Sequence, residues 1–248
     1  MQEIQLTKDI IIIQGDCREL EAVACDAIIT DPPYGMAHPC NFAERKRSNL
    51  ALCNDWPDVA GDAEPFDPSW IIAMNIPTIL WGGNWFADKL PPTSGWLVWD
   101  KERPDELDQA TCELAWTNCI KGVRRYRHLW HGMMKASERG ESYHPTQKPV
   151  ALFSWTLGLR WLSGVNTVFD PYMGSAPCGV ACVRAGKRYI GVEINPVHFD
   201  TARVRLENEL SQCNLFRQNQ DGAQNNSEGR GTAYNSAMPK QAQYTMDL

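Results

Sequence analysis

Thr167-Val168-Phe169-Asp170-Pro171-Tyr172-Met173-Gly174-Ser175 is the stretch on which the fold turns. Its first three residues are β-branched or aromatic and read as a strand buried on both faces. An acid, a proline and a glycine turn follow, and a helix is predicted to begin near Ala176. A strand, a glycine turn and a helix N-terminus place backbone N–H groups and a positive dipole end at a strand's carboxyl edge. The next apolar run, Arg188-Tyr189-Ile190-Gly191-Val192, ends in Glu193, about twenty residues on, where an acid can hold both hydroxyls of a ribose. An ordinary βαβ turn followed by a surface acid has the same spacing.

Outward from this unit the pattern repeats. Residues 10–13, 27–30, 78–81, 96–99, 167–169 and 189–192 read as strands, most of them apolar on both faces. Residues 150–162 read as a helix after Pro149, and 196–210 as another, with Asn195 as N-cap and Phe199, Ala202, Leu206 and Leu210 at helical spacing. Alternating β and α units predict a doubly wound α/β fold, a mostly parallel sheet flanked by helices. A single domain is expected over 1–210, and a polar, weakly attached tail over 211–248, where Gln, Asn, Gly and Ser dominate.

Composition narrows the classes. The 248 residues are 43% hydrophobic and 22% charged, as in a soluble globular protein. No apolar run is long enough for a membrane span or a secretory leader, and the expected location is the cytoplasm. The nine cysteines form no Cys-x-x-Cys pair and no zinc spacing, so no metal is expected. A net charge of −6 argues against a nonspecific nucleic-acid coat, yet the charge is uneven. Between 121 and 139 stand Lys121, Arg124, Arg125, Arg127, Lys135 and Arg139 against Glu138 alone, interleaved with Tyr126, His128, Trp130 and His131. A second basic knot, Arg45-Lys46-Arg47, lies in a loop-rich insertion over 36–69. A solvated face is the usual fate of such runs, but aromatic interleaving favours nucleic-acid contact.

Directly after the strand at 27–30 comes Asp31-Pro32-Pro33-Tyr34. The Asp31 carboxylate and the Pro32 carbonyl can accept the two hydrogens of an amino group, and the rings of Pro32 and Pro33 stiffen the backbone that aims them. Tyr34 offers a face on which a flat base can stack. A proline-stiffened turn with a packing tyrosine fits the tetrapeptide equally well.

Taken in order, Asp31 to Tyr34, then His144-Pro145-Thr146-Gln147-Lys148-Pro149, then Asp170 to Ser175 and Gly191-Val192-Glu193 resemble the motifs of S-adenosylmethionine-dependent DNA amino-methyltransferases of the permuted β group. The resemblance covers roughly residues 8–210 and implies a Rossmann-like fold in which the catalytic half precedes the cofactor half. It implies that Asp31, Pro32, Pro33 and Tyr34 hold a flipped base, with Asp31 also beside the cofactor. It assigns S-adenosylmethionine to Asp170, Tyr172, Gly174 and Ser175, to Glu193 and Asn195 at the ribose, to Thr146 and Lys148 over the methionine end, and to Asp16 and Cys17 beside the adenine. DNA contacts are expected from insertions near 36–69 and 122–143, through Arg45, Lys46, Arg47, Arg124, Arg125, Arg127 and Lys135.

The activity so implied is site-specific methylation of adenine N6 in double-stranded DNA by a prokaryotic or phage-encoded enzyme of restriction-modification type, with a second subunit as a candidate contributor to recognition. An Asp at position 31 goes mainly with adenine in that family, and cytosine N4 is the alternative base. Cys178 invites a reading as the nucleophile of a cytosine-C5 enzyme, but it falls inside the cofactor loop. The family continues Gly-Ser with Gly-Thr-Thr or a close variant, whereas Ala176-Pro177-Cys178 follows Ser175 here. That departure carries a further alternative, a DNA-binding homologue with impaired cofactor binding.

Overall fold

The computed structural model describes residues 1–36, 60–104, 106, 110–131, 134–139, 143–144 and 146–227, with 216–227 as backbone alone. Met1–Ser211 forms one compact unit and Gln212–Leu248 a second. In chain order the elements are β1 (Gln2–Gln5), β2 (Ile10–Gln14), β3 (Ala27–Thr30), α1 (Ser69–Ala73), β4 (Thr78–Trp81), β5 (Trp96–Asp100), β6 (Cys112–Thr117) and β7 (Val123–Arg127). Then follow β8 (Trp130–His131), β9 (Met134–Lys135), α2 (Val150–Leu157), β10 (Thr167–Asp170), α3 (Pro177–Arg184), β11 (Arg188–Glu193) and α4 (Pro196–Ser227).

Among the described residues the main sheet has nine strands in the order β1-β2-β11-β10-β3-β4-β6-β5-β7. From β2 to β4 every pairing is parallel, so five strands end at one edge. β3 and β10 are buried at every position, which explains their unbroken apolar sequences. Trp81, Trp99, Trp116, Tyr189 and Phe169 fill the core on the two sides. The expected doubly wound sheet is present.

Three expectations change. The helix expected over 150–162 ends at Leu157 and a separate 3-10 turn covers Arg160–Leu162. The expected helix end at 210 is passed, and α4 runs on to Ser227; just beyond that point Ser211, Gln212, Asn214 and Leu215 are exposed. The basic stretch expected as an insertion contains β7, the outer strand of the main sheet, parallel to β5. Its residues alternate between exposed and half-buried, a period of two that a sheet edge accommodates without apolar faces. Arg45, Lys46 and Arg47 lie outside the described residues.

The chain leaves β10 through α3 towards β11 on one side and leaves β3 through α1 towards β4 on the other. The crevice beyond the carboxyl ends of β3 and β10 is therefore a topological switch point, where open α/β sheets bind ligands. One buried hydrogen bond crosses it: the Thr30 hydroxyl donates to Asp170 Oδ1 at 2.6 Å. Tyr189 Oη donates to Oδ2 of the same carboxyl at 3.1 Å. Burial pushes the Asp170 carboxyl up to about 7, against the lowering pull of Thr30 and Tyr189.

Thr30→Val removes the crossing bond at nearly constant volume. We expect a loss of about 1.5–3 kcal/mol of unfolding free energy, the worth of a hydrogen bond to a charged group. Because the Thr30 bond favours the ionised carboxyl, its loss raises the Asp170 pKa further, and the penalty grows as pH rises through 7. Urea titrations at pH 6 and pH 8 check both the size and the sign.

Candidate active site

Asp31 to Tyr34 leaves the end of β3 as a tight loop braced from outside. The backbone N–H groups of Tyr34, Gly35 and Met36 all donate to Asp62 Oδ1, at 3.1, 2.9 and 3.2 Å. The tyrosine ring lies against Gly82, the residue after β4. Gly82 has φ +75°, and a Cβ there would stand 1.9 Å from Tyr34 Cε1. Only glycine satisfies both the left-handed backbone and the close approach of the ring.

Charge at this loop is arranged as an alternating row. The Lys148 ammonium, 4% exposed, lies 2.5 Å from Asp31 Oδ1 and 3.0 Å from Glu113 Oε2, while Lys101 meets Glu113 Oε1 at 2.6 Å. Tyr34 Oη donates to Asp31 Oδ1 at 2.5 Å and accepts from Lys148 Nζ at 2.7 Å. Among the described residues these contacts leave Asp31 Oδ2 without a partner. Burial pushes the Asp31 carboxyl up, partly opposed by Lys148. Burial would lower the Lys148 pKa, but Asp31 and Glu113 overcome it and the ammonium is raised. Burial likewise opposes ionisation of Glu113, yet Lys148 and Lys101 bring its carboxyl down to about 2. The resemblance places Lys148 over the methionine end, and its ammonium meets Asp31 at the cavity wall.

Across the switch point, Glu193 ends β11. Its Oε2 accepts from Gly174 N–H at 3.0 Å and its Oε1 from Asn195 N–H at 2.9 Å. Burial raises its pKa and the two N–H groups hold it down. At Gly174, φ +51°, a Cβ would come no nearer to the His144 ring than 3.8 Å, so the space beside this backbone is open. Ala176 also takes a left-handed conformation, at φ +55°. This is where the family carries glycine, and alanine in that region costs roughly 1 kcal/mol more. Cys178 is fully buried, and burial drives its thiol pKa well up, which disqualifies it as a nucleophile.

The remaining expected cofactor residues divide. Asp170 accepts from Thr30 and Tyr189 and so anchors the loop. Asn195 caps α4, its Oδ1 accepting from Val197 N–H at 2.9 Å. Thr146 Oγ1 lies 3.1 Å from His144 Nδ1; burial and the facing His198 lower the His144 pKa to about 3, keeping the ring neutral. Asp16 is held by Arg18 at 2.6 Å. Cys17 is buried beside Tyr172, and burial pushes its thiol up to about 11. Ser175 O accepts from Arg205 Nη1 at 3.0 Å, and Arg205 pairs with Glu138, whose Oε2 accepts the Val150 N–H at the start of α2.

One cavity of about 1280 Å³ runs from Gly15, Cys17, Gly174 and Glu193 to Asp31, Tyr34, Trp85 and Lys148. It exceeds the roughly 300–1,000 Å³ of a usual small-molecule site and has room for a nucleoside-sized ligand and a base together. The fixed, half-buried carboxylate of Glu193, an open glycine turn and a helix N-terminus fit S-adenosylmethionine.

The expected DNA residues also divide. Arg124 stacks over Trp161 at 4.9 Å, and Arg127 reaches Asp100 and Glu102 at 3.4 and 3.3 Å. Arg125 is exposed. These three do not line the cavity, whereas Lys135, 4.4 Å over Trp130, does. Sequence reasoning missed Glu113, Lys101, Asp62 and Arg205. Glu113, an acid inside the apolar run of β6, was the one visible signal.

Residues 85–204 match the family profile described as DNA methylase, of the N6/N4 type. Over 87 residues the chain is 33% identical to the Type II methyltransferase M2.DpnII of Streptococcus pneumoniae, 35% of this chain and 32% of that one. Over 84 residues it is 30% identical to the Type II methyltransferase M2.LlaDCHI of Lactococcus lactis subsp. cremoris, 34% of this chain and 31% of that one. The matches thus span about a third of these relatives' length. Among solved structures, the PvuII DNA methyltransferase, titled cytosine-N4-specific, is similar in fold, with a TM-score of 0.52 and 12% identity over 83% of this chain and 91% of that one.

Gly82→Ala tests the seating of Tyr34. The left-handed backbone alone costs about 1–2 kcal/mol with a β-carbon, and the new methyl displaces the ring. We expect a melting temperature lower by several degrees and loss of the short Tyr34–Asp31 contact, checked by calorimetry and by a crystal structure of the variant.

Proposed function

We propose, from the match of residues 85–204 to a DNA methylase profile, that this protein transfers a methyl group from S-adenosylmethionine to the exocyclic amine of a base extruded from double-stranded DNA, at adenine N6. The observation that carries this reading is the single cavity joining Asp31 and Tyr34 to Gly174 and Glu193 across the switch point. The names of the bacterial relatives, both Type II methyltransferases, support a place in a restriction-modification system.

S-adenosylmethionine supplies an electrophilic methyl on a sulfonium. Glu193, with its carboxylate fixed by Gly174 and Asn195, would hold the ribose hydroxyls. The turn of Gly174 and Ser175, held by Arg205, would take the charged tail. Gly15, Cys17 and Tyr172 line the part of the cavity that would take the adenine.

An exocyclic amine is a weak nucleophile because its lone pair is delocalised into the ring. Asp31 Oδ2 and the Pro32 carbonyl would accept its two hydrogens and favour a pyramidal nitrogen with its lone pair free to react. Positioning of the base by Asp31, Pro32 and Tyr34 would supply much of the acceleration. Tyr34 stacks on the base and offsets part of the few kcal/mol that extrusion costs. Once methylated, the nitrogen must release a proton, and Asp31, with its pKa raised by burial, is placed to take it.

Asp31→Ala should abolish turnover while S-adenosylmethionine still binds with near-native affinity, read by calorimetry and by transfer of labelled methyl to DNA. Nucleoside analysis of the product should give N6-methyladenine. N4-methylcytosine alone would overturn the adenine assignment, and 5-methylcytosine the mechanism.

Lys148→Met should move the acid limb of the pH–rate profile. The Lys148 charge lowers the Asp31 pKa, so its removal raises that pKa, and turnover that needs ionised Asp31 fails at a higher pH. An acid limb that stays in place in Lys148→Met refutes this coupling.

A further inference from the structure

Trp85 stands where no motif of the resemblance falls. It is 55% exposed, a costly position for an indole, and it borders the cavity that holds Asp31 and Tyr34. Its ring is nearly parallel to that of Tyr34, at 15° between planes and 6.3 Å between centroids. The turn that displays it is stiff. Trp85 N–H donates to Gly82 O at 2.9 Å, and the next residue, Phe86, is buried edge-on against Phe66 at 5.1 Å. The turn follows β4, which is parallel to β3, so both rings rise from the same sheet edge.

We propose that Trp85 is a substrate-contacting residue whose indole extends the stacking surface of Tyr34 and fixes the plane of the extruded base. This rests on the methyltransferase reading above. Tyr34 alone leaves the base free to slide along one ring, and a second, nearly parallel ring on a rigid turn removes that freedom. Stacking is indifferent to base identity, so Trp85 adds hold without choosing between adenine and cytosine. Because Trp85 is largely solvated, truncating it leaves the core intact.

The test uses the full chain, tritium-labelled S-adenosylmethionine and unmodified bacterial genomic DNA, with native protein, Trp85→Ala and Trp85→Phe. We expect Trp85→Ala to lower kcat on the order of tenfold, the scale of one lost stacking contact. KM for DNA should stay within about twofold, since phosphate contacts dominate DNA affinity. Trp85→Phe should recover most of the rate, and S-adenosylmethionine affinity and melting temperature should match the native protein in both variants. Native rates in Trp85→Ala overturn this role alone. So does a rate loss accompanied by an equal loss of melting temperature or cofactor affinity, which would make Trp85 a prop for the fold. Native protein that transfers no methyl to DNA overturns the methyltransferase reading, and this role with it.

Discussion

The hydrogen bond from Thr30 to Asp170 joins strands whose sequences lie 140 positions apart and sets the distance between the two halves of the candidate site. β3 delivers the loop of Asp31 and Tyr34; β10 delivers the turn of Gly174 and Ser175. Since both strands are parallel and buried at every position, apolar patterning alone does not fix their register. The buried hydroxyl–carboxyl contact adds a polar restraint on that register. Each loop is then braced separately, by Asp62 on one side and by Arg205 on the other.

Burying Lys148 and Glu113 is expensive in isolation, because desolvation exceeds the attraction of a lone pair of charges. The row Lys101–Glu113–Lys148–Asp31 alternates in sign and sums to zero. That neutrality leaves each buried charge of the row beside one of opposite sign. It also explains why Lys148 can touch the proposed base-binding carboxylate and still leave the second oxygen of Asp31 to the cavity.

The inner strands were legible because a strand covered on both faces must be apolar at every position, and β3, β4 and β10 satisfy this. β7 was not, because an edge strand can carry Arg124, Arg125 and Arg127 at period two, the pattern of a solvated basic run. β6 was hidden by Glu113, which breaks an apolar run for the sake of Lys148 and Lys101. Asp31, Gly174 and Glu193 could be read from short motifs at strand ends. Lys148 could be located but not given its partners, since its contacts with Asp31 and Glu113 arise from sheet pairing and not from spacing along the chain. The left-handed backbone at Ala176 was equally invisible, as alanine carries no local mark of it.

The order of strands has a consequence for how the molecule is made. β2 and β3 leave the ribosome early, yet in the finished sheet they are not neighbours: β11 and β10, made last, lie between them. At about 5–20 residues per second, β3 waits roughly seven to twenty-seven seconds for β10. During that interval one edge of β3 has no partner, and the nascent protein has half a crevice. Closure of the sheet is therefore an insertion rather than an extension, with high contact order and a correspondingly slow final step. The crevice becomes whole only at the moment the last strands slide in between the first.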